Sequence, residues 1–253
     1  MTTAAAEAGF EVHTTRIPDL TGPNLQAKAR EFRYGFLELV VKKESADAIA
    51  TGHTLDDRVE TTLARLIHGA GLTGLAGLPA KDRDRVRPLV DLRRSETRAY
   101  LEECGIESYD DPANDDDSFE RVAVRDRLLS AIEKRWGDGA IRAMTVSADR
   151  LRDDADALDS IAERLYGDSA KTSEEGVSFD RGPLVAIPRA FRRRLLERAV
   201  GHVRDRSGGI GAALDALDAG LPGPGSPSEL RFAVASGIEI VIASDRVIVT
   251  GSG

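Results

Sequence analysis

Ten residues, Gly52–Thr61 (GHTLDDRVET), hold the densest set of side chains in this sequence that could do chemistry. His53, Asp56, Asp57 and Glu60 lie among them, where a short apolar run gives way to a helical pattern. Ligands of open α/β sheets bind at the carboxyl ends of the strands. Carboxylates placed there could hold Mg²⁺ or a substrate ammonium group. Helix capping explains one aspartate but not the whole cluster, so the residues alone leave both interpretations open.

Short β-type runs and helical patterns alternate in the first third of the chain, and these elements must position the cluster. Strand–helix alternation with crossovers of this length predicts a parallel α/β sheet, buried at least in part on both faces. The predicted strands are Glu11–Ile17, Ala46–Thr51 and Arg85–Asp91, and the predicted helices begin near Asn24, at Asp56 and at Ser95.

The pattern changes from Ser118 onward, where long helical stripes replace the alternation. Pro188 opens one of these helices, and three alternating runs within Glu229–Thr250 predict short terminal strands. We therefore predict two domains. Residues 1–135 form the α/β domain, and residues 136–253 form a mostly helical domain with a small terminal β element.

Composition and charge narrow the class of protein. The chain has 253 residues, 41% of them hydrophobic, with a formal net charge of −8. No apolar run reaches the roughly 18 residues of a membrane helix, and Met1–Ala4 lacks the features of a signal peptide. These features predict a cytoplasmic protein without membrane association. The acidic total argues against nucleic-acid binding by bulk charge but allows a local basic face.

The cysteine count limits the chemistry further. Cys104 is the single cysteine of this sequence, which excludes an intrachain disulfide, a CxxC pair and a cysteine-ligated zinc or iron–sulfur site within it. The acidic loop Glu107–Glu120 fits no EF-hand spacing and is predicted to be solvated. Arg121, Arg125 and Arg192–Arg194 are candidates for phosphate contacts, although the last group taken alone favours a solvated helix face.

Several motifs, in one consistent order, resemble those of a known family. The run Ile49–Leu78 resembles the second signature of tRNA(Ile)-lysidine synthetases, which are PP-loop (N-type) ATP pyrophosphatases. The resemblance is specific over about residues 20–130 and loose over the helical half. Four further motifs are similar to the family's: NLQA-x-ARE-x-RY at Asn24–Tyr34, RPLVD at Arg87–Asp91, DPAN at Asp111–Asn114, and the outer arginines of R-N-x-x-R at Arg121 and Arg125.

The resemblance implies an ATP-dependent carbon–nitrogen ligase that acts on tRNA. Members of the family adenylate the C2 oxygen of the wobble cytidine of an isoleucine tRNA and release pyrophosphate. The lysine amine then attacks C2 and displaces AMP, so that the anticodon reads AUA. The implied cofactors are ATP and Mg²⁺, and the implied partners are tRNA(Ile) and L-lysine, with homodimer formation as a further expectation. The helical domain would add tRNA contacts.

Residue roles carry over by position in the matching motifs. Asp57 and Glu60 are expected to handle lysine or metal–ATP, with His53 and Asp56 beside them and Asp57 as the candidate Mg²⁺ ligand. Gly52 and Arg30 are expected to contact ATP. The residues expected to line the catalytic face or to meet tRNA are Asn24, Arg87, Asp111, Asn114, Arg121 and Arg125.

The sequence also departs from the family pattern. Family members begin with a strand and a Ser-Gly-Gly-x-Asp-Ser loop whose amides hold ATP phosphates, and this sequence lacks that loop. His68 and Val122 replace the usual arginine and asparagine. We expect either a start at an internal methionine of a longer gene, which is favoured, or an inactive remnant, and no ATP hydrolysis by these 253 residues. Two alternatives stay open: a tRNA thiolase, against which the lone Cys104 argues, and a non-catalytic tRNA-binding protein.

Overall fold

The structure is a computed structural model of the chain, and it forms two compact units, residues 1–151 and 152–253. Each unit has its own hydrophobic cluster. The described residues are 5, 8–17, 25–108, 120–174, 176–203, 210–221, 228–235 and 237–251, without the side chains of 25–27, 120, 121 and 235.

The first unit is built mainly from helices. In α2, Leu55, Val59 and Leu63 recur every four residues and face Leu129 and Ile141 in a small apolar cluster. The helices are α1 (Leu25–Glu44), α2 (Leu55–Ile67), α3 (Leu72–Leu75), α4 (Arg94–Glu103), α5 (Glu120–Ala123), a π-helical stretch (Val124–Leu129), α6 (Ser130–Trp136) and the start of α7 (Asp138–Ser169).

A small three-stranded sheet lies among these helices, in the order β1-β3-β2. β1 (Ile49–Ala50) pairs in parallel with β3 (Arg85–Val86), and β2 (Lys81–Asp82) pairs with β3 in the antiparallel direction. Helix α2 lies in the crossover between β1 and β3, as a parallel connection requires. The predicted α/β class is therefore confirmed, with shorter strands than the sequence pattern indicates.

Two predicted strands need correction. Glu11–Ile17 forms no strand, because its alternating pattern meets no partner strand among the described residues. Arg85–Asp91 is a strand only at its first two residues. The chain then turns, with the amide of Val90 bonded to the carbonyl of Arg87 at 3.2 Å. Pro88 has no amide hydrogen to donate to a ladder.

The second unit contains a five-stranded antiparallel sheet in the order β4-β5-β8-β7-β6. The three predicted terminal strands are confirmed, and two strands that the sequence analysis did not predict precede them. The strands are β4 (Lys171–Ser173), β5 (Gly176–Asp180), β6 (Glu229–Ala235), β7 (Ile238–Ala243) and β8 (Arg246–Gly251), and the helices are α8 (Arg181–Ala186), α9 (Arg189–Val203) and α10 (Gly211–Asp218).

The core of the second unit lies between this sheet and its helices. Ile238, Ile240 and Ile242 on β7 are buried because alternate residues of a strand share one face. Leu195 and Leu196 on α9 belong to the same cluster. None of the helices that the structure describes combines the length and apolar character needed to span a bilayer.

Candidate active site

Helix α2 begins directly after β1 and carries the acidic cluster on its first two turns. Thr54 is the N-cap, and its backbone amide and hydroxyl donate to Asp57 Oδ2 at 2.6 and 2.9 Å. This capping interaction satisfies an amide that the helix itself leaves without an acceptor. Asp57 therefore takes part in capping as the third helical residue rather than as the N-cap, and only through one of its two carboxylate oxygens.

The second oxygen of Asp57 faces a shared cation. Arg94 Nη2 lies 3.3 Å from Asp57 Oδ1 and 3.3 Å from Glu60 Oε1. The Glu60 side chain is 1% exposed, and that of Asp57 is 11% exposed. Two carboxylates with so little solvent need a positive partner, because an isolated buried charge is strongly destabilising. The pair therefore holds the Arg94 guanidinium beside the end of β1.

Asp56 has a different partner. Its Oδ2 accepts the backbone amide of Arg94 at 2.7 Å, and its Oδ1 lies 3.0 Å from Arg93 Nη2. The Arg93 guanidinium also bonds to Glu133, at 3.0 Å, and to Asp138. Burial lowers the pKa of Arg93, but Asp56 and then Glu133 hold it above its usual value. Asp56 thus fastens the first turn of α4 to α2.

The loop between β1 and α2 holds His53 and Gly52. The Nδ1 of His53 and the hydroxyl of Thr51 are 2.8 Å apart, which fixes the plane of the imidazole ring. A Cβ at Gly52 would meet no atom within 4 Å, so open space lies beside this end of β1. These two residues and the carboxylate pair thus occupy one short segment at the carboxyl end of a strand.

Arg30 lies on α1 beside an aromatic ring. Its guanidinium carbon is 4.9 Å from the centroid of the Tyr34 ring, and that of Arg85 is 4.2 Å from the same centroid. Both distances lie in the range of cation–π interactions. Arg33 lies 5.7 Å from the centroid, so three arginines share the ring of one buried tyrosine.

The two predicted tRNA-contacting arginines that the structure describes differ in exposure. Arg87 is buried and donates from Nη1 to the carbonyl of Pro79 at 2.7 Å, so its described contact is structural. Arg125 lies on the π-helical stretch, where its Nε bonds to Asp126 at 2.8 Å. Asn24, Asp111, Asn114 and the side chain of Arg121 lie outside the described residues.

The arginine group on α9 is not the solvated face that the sequence analysis favoured. Arg192 and Arg194 are buried, and they pair with Asp218 at 2.6 Å and Asp159 at 2.7 Å. Because these guanidinium groups already have acidic partners within the second unit, the suggestion that they contact phosphate is withdrawn.

Comparison with known proteins decides the family. The family model of the PP-loop domain matches residues 2–132, just over half of the chain. The chain belongs to the PP-loop family. This confirms the fold and family that the motifs predicted, and the matched segment runs through β1 and ends within α6.

Curated relatives of this PP-loop chain extend the match. It is 34% identical over 190 residues to the tRNA(Ile)-lysidine synthase of Leifsonia xyli subsp. xyli, covering 75% of this chain and 57% of the relative. It is 36% identical over 173 residues to the enzyme of that name from Thermobifida fusca, covering 68% of this chain and 52% of the relative. The chain thus spans somewhat more than half the length of these relatives.

One solved structure is a more distant match. The U34-tRNA thiolase NcsA from Methanococcus maripaludis, solved with its [4Fe–4S] cluster, is 20% identical, with a TM-score of 0.48, and covers 59% of this chain and 54% of that chain.

Sequence reasoning did not predict the arginines that pair with the acidic residues of this candidate site. Arg93 and Arg94 follow Leu92 in the sequence, and they contact acidic residues that lie 34 to 38 positions away. Arg58, also missed, pairs with Asp91 at 3.2 Å and with Asp149. The available signal was the pair of arginines directly after a predicted strand, since residues at that place lie at the ligand-binding edge.

Proposed function

We propose that this chain carries the lysine-binding and tRNA-facing part of a tRNA(Ile)-lysidine synthase. The observation that carries the proposal is the buried pair Asp57 and Glu60, which already shares one cation, the Arg94 guanidinium. The names of the curated relatives support the same assignment. The reaction would join lysine to C2 of the wobble cytidine through an adenylated intermediate.

The carboxylate pair suits an ammonium group. A lysine ammonium is a compact charge with three donors, and Asp57 Oδ1 and Glu60 Oε1 both already lie against a single donor atom. Charge-assisted hydrogen bonds to these oxygens would fix one end of the lysine. The other amine, once it has lost its proton, could then be aimed at C2 of the cytidine.

The same carboxylate oxygens also suit Mg²⁺, the ion for which Asp57 is the candidate ligand. Mg²⁺ in proteins takes one or two carboxylates and fills its other positions with water and phosphate oxygens. When bound, it would neutralise phosphate charge as pyrophosphate leaves. Asp57 Oδ2 is already engaged by two donors from Thr54, so Asp57 Oδ1 and the Glu60 carboxylate are the proposed metal ligands. Gly52 and Arg30 stay the proposed ATP contacts.

tRNA would be met by local basic groups, because the chain as a whole is acidic. Arg125 is the described candidate, since its helical stretch follows the PP-loop motifs and its guanidinium is 21% exposed. Residues 136–253 are proposed to add further tRNA contacts. Asn24, Asp111, Asn114 and Arg121 keep their proposed roles from the family motifs.

Lysine transfer by the product of the native gene tests this proposal. The protein is translated from its native DNA, purified, and incubated with ATP, Mg²⁺, labelled lysine and an isoleucine tRNA transcript with a CAU anticodon. We expect lysine on the wobble nucleoside, identified by mass spectrometry of nuclease digests. A transcript with uridine in place of that cytidine should accept none.

A charge-removing variant connects this activity to the site. Asp57→Asn keeps an oxygen that can accept the Thr54 amide but removes the negative charge. We expect lysine transfer to fall by at least about 100-fold with an unchanged circular dichroism spectrum. Asp154→Asn, at an exposed position of α7, is the matched control and should keep full activity. Unchanged transfer by the Asp57 variant would contradict the assignment.

Two other functions predict different results in these assays. A non-catalytic tRNA-binding protein would retain the tRNA on a filter yet transfer no lysine in any preparation of the gene product. A thiolase would introduce sulfur into the tRNA. The single cysteine, Cys104, is exposed and lies at the end of α4, away from the carboxylate pair in sequence.

A further inference from the structure

Two consecutive arginines, Arg93 and Arg94, contact the acidic cluster in different ways. The Arg93 side chain is 5% exposed and its guanidinium bonds to three carboxylates, those of Asp56, Glu133 and Asp138. Three partners on different segments fix this side chain in place. Arg93 therefore holds the elements of the site together.

Arg94 is held loosely by comparison. Its side chain is 34% exposed, and its two contacts to Asp57 and Glu60 are both 3.3 Å, longer than the roughly 2.7–2.9 Å typical of charge-assisted bonds. The backbone of Arg94 is anchored separately, because its amide donates to Asp56. The guanidinium can therefore leave the carboxylates while helix α4 stays in place.

Under the proposed function, the contacts of Arg94 lie at the lysine-binding groups. Asp57 and Glu60 are the proposed lysine-binding groups, and in this structure a cationic side chain of the same chain occupies both. Removing a cation from two poorly solvated carboxylates is costly. An exchange of one cation for another avoids that cost.

We propose that Arg94 is a built-in competitor for the lysine site. Its guanidinium neutralises Asp57 and Glu60 when the site is empty, and the substrate ammonium displaces it. The exchange requires a ligand with an ammonium group, because an uncharged ligand cannot replace the charge that it would displace. This inference rests on the proposed lysine-binding role of the pair.

Substitution of Arg94 should raise the affinity for lysine, whereas substitution of a purely structural residue should leave that affinity equal or weaker. Arg94→Gln removes the competing charge, so the affinity of the 253-residue chain for L-lysine should rise about fivefold or more. Arg94→Lys keeps a cation and should stay within about twofold of the native affinity. Binding is measured by isothermal titration at pH 8 with tRNA(Ile) present.

Arg142→Gln is the matched control. Arg142 bonds to Glu96 and Asp138, in the same unit but not to the carboxylate pair, so its loss should leave lysine affinity unchanged. Equal or weaker lysine binding by Arg94→Gln would overturn the inference and leave the lysine site intact. Lysine binding by neither the native chain nor any variant would instead overturn the proposed function, and the inference with it.

A measurement on the native chain covers the case in which Arg94→Gln does not fold. Phenylglyoxal modifies accessible guanidinium groups, and the modified peptide can be quantified by mass spectrometry. Saturating lysine should raise the labelling of Arg94 at least about twofold, because displacement exposes it, whereas the buried Arg93 stays unlabelled. Unchanged or reduced labelling of Arg94 would overturn the inference.

Discussion

The two units of this chain are stabilised by different means. The main cluster of the second unit contains eighteen buried hydrophobic residues, whereas that of the first contains four, counted over the described residues. Buried charges show the reverse distribution. The first unit buries six charged side chains, and the second buries Arg192 and Arg194. The buried charges of the first unit are Asp56, Asp57, Arg58, Glu60, Arg87 and Arg93.

This difference separates an apolar core from a charged candidate site. Strands of two residues, such as β1 and β3, provide few ladder hydrogen bonds, so ion pairs across the first unit must set the positions of α2 and α4. A binding site for cations needs poorly solvated carboxylates, and an apolar core cannot supply them. The second unit instead packs its helices against its sheet around an apolar core, as an ordinary two-layer domain does.

The largest effect should come from breaking the central ion pair of the first unit. Arg93→Met leaves Asp56 buried without its cation, which should destabilise the first unit by about 3–5 kcal/mol. Urea unfolding followed by circular dichroism gives the loss, and hydrogen exchange in peptides of α2 locates it.

The double variant Arg93→Met/Asp56→Asn should recover part of that stability, because no unpaired buried charge is left. Exposed ion pairs contribute below about 1 kcal/mol. A loss of stability in that range for Arg93→Met would show that the first unit does not depend on its buried charges, and the contrast between the two units would then fail.

A somewhat smaller loss is expected from the apolar core of the second unit. Leu196 is fully buried on α9, and Leu196→Ala should destabilise the second unit by about 3 kcal/mol, through lost transfer energy and a residual cavity. Val185→Ala, at a side chain 37% exposed on α8, serves as the control. The contrast would fail if both substitutions reduced the midpoint of urea unfolding equally.

The smallest effect concerns Glu197, the half-buried acid on α9. Burial raises the pKa of its carboxyl above the usual value, against the opposing influence of Arg193 and Arg194. The fold therefore favours the protonated form, and the stability that this form contributes is lost as the pH rises through the raised pKa.

Glu197→Gln mimics the protonated acid. It should therefore stabilise the second unit at pH 7 by roughly 0.5 kcal/mol or less and have no effect at pH 3.5, where the native glutamate is also neutral. Thermal unfolding at both pH values measures the difference. A variant less stable than the native chain at pH 7 would show that the Glu197 charge is stabilised rather than opposed.

Local sequence patterns predicted those helices and strands that can be recognised from the residues of a single segment. The i, i+4 spacing of Leu55, Val59 and Leu63 identified α2, and the alternation in Ile238–Ala243 identified β7. The same reasoning failed at Glu11–Ile17, because a strand needs a partner that its own residues do not specify. It also missed β5, a five-residue strand between a long helix and a short one.

For the candidate site, the sequence by itself determined the acidic half and the family. His53, Asp56, Asp57 and Glu60 lie within eight consecutive positions, so a local pattern reveals them together, and the ordered motifs identified the PP-loop family that the comparison confirms. Only the tertiary structure decided which carboxylate does what. Asp56 and Asp57 are neighbours of identical type, yet one is bound by the buried Arg93 and the other by the partly exposed Arg94. Those partners arrive from 37 positions away, and pairing at that distance depends on the packing of α4 against α2 rather than on any local pattern.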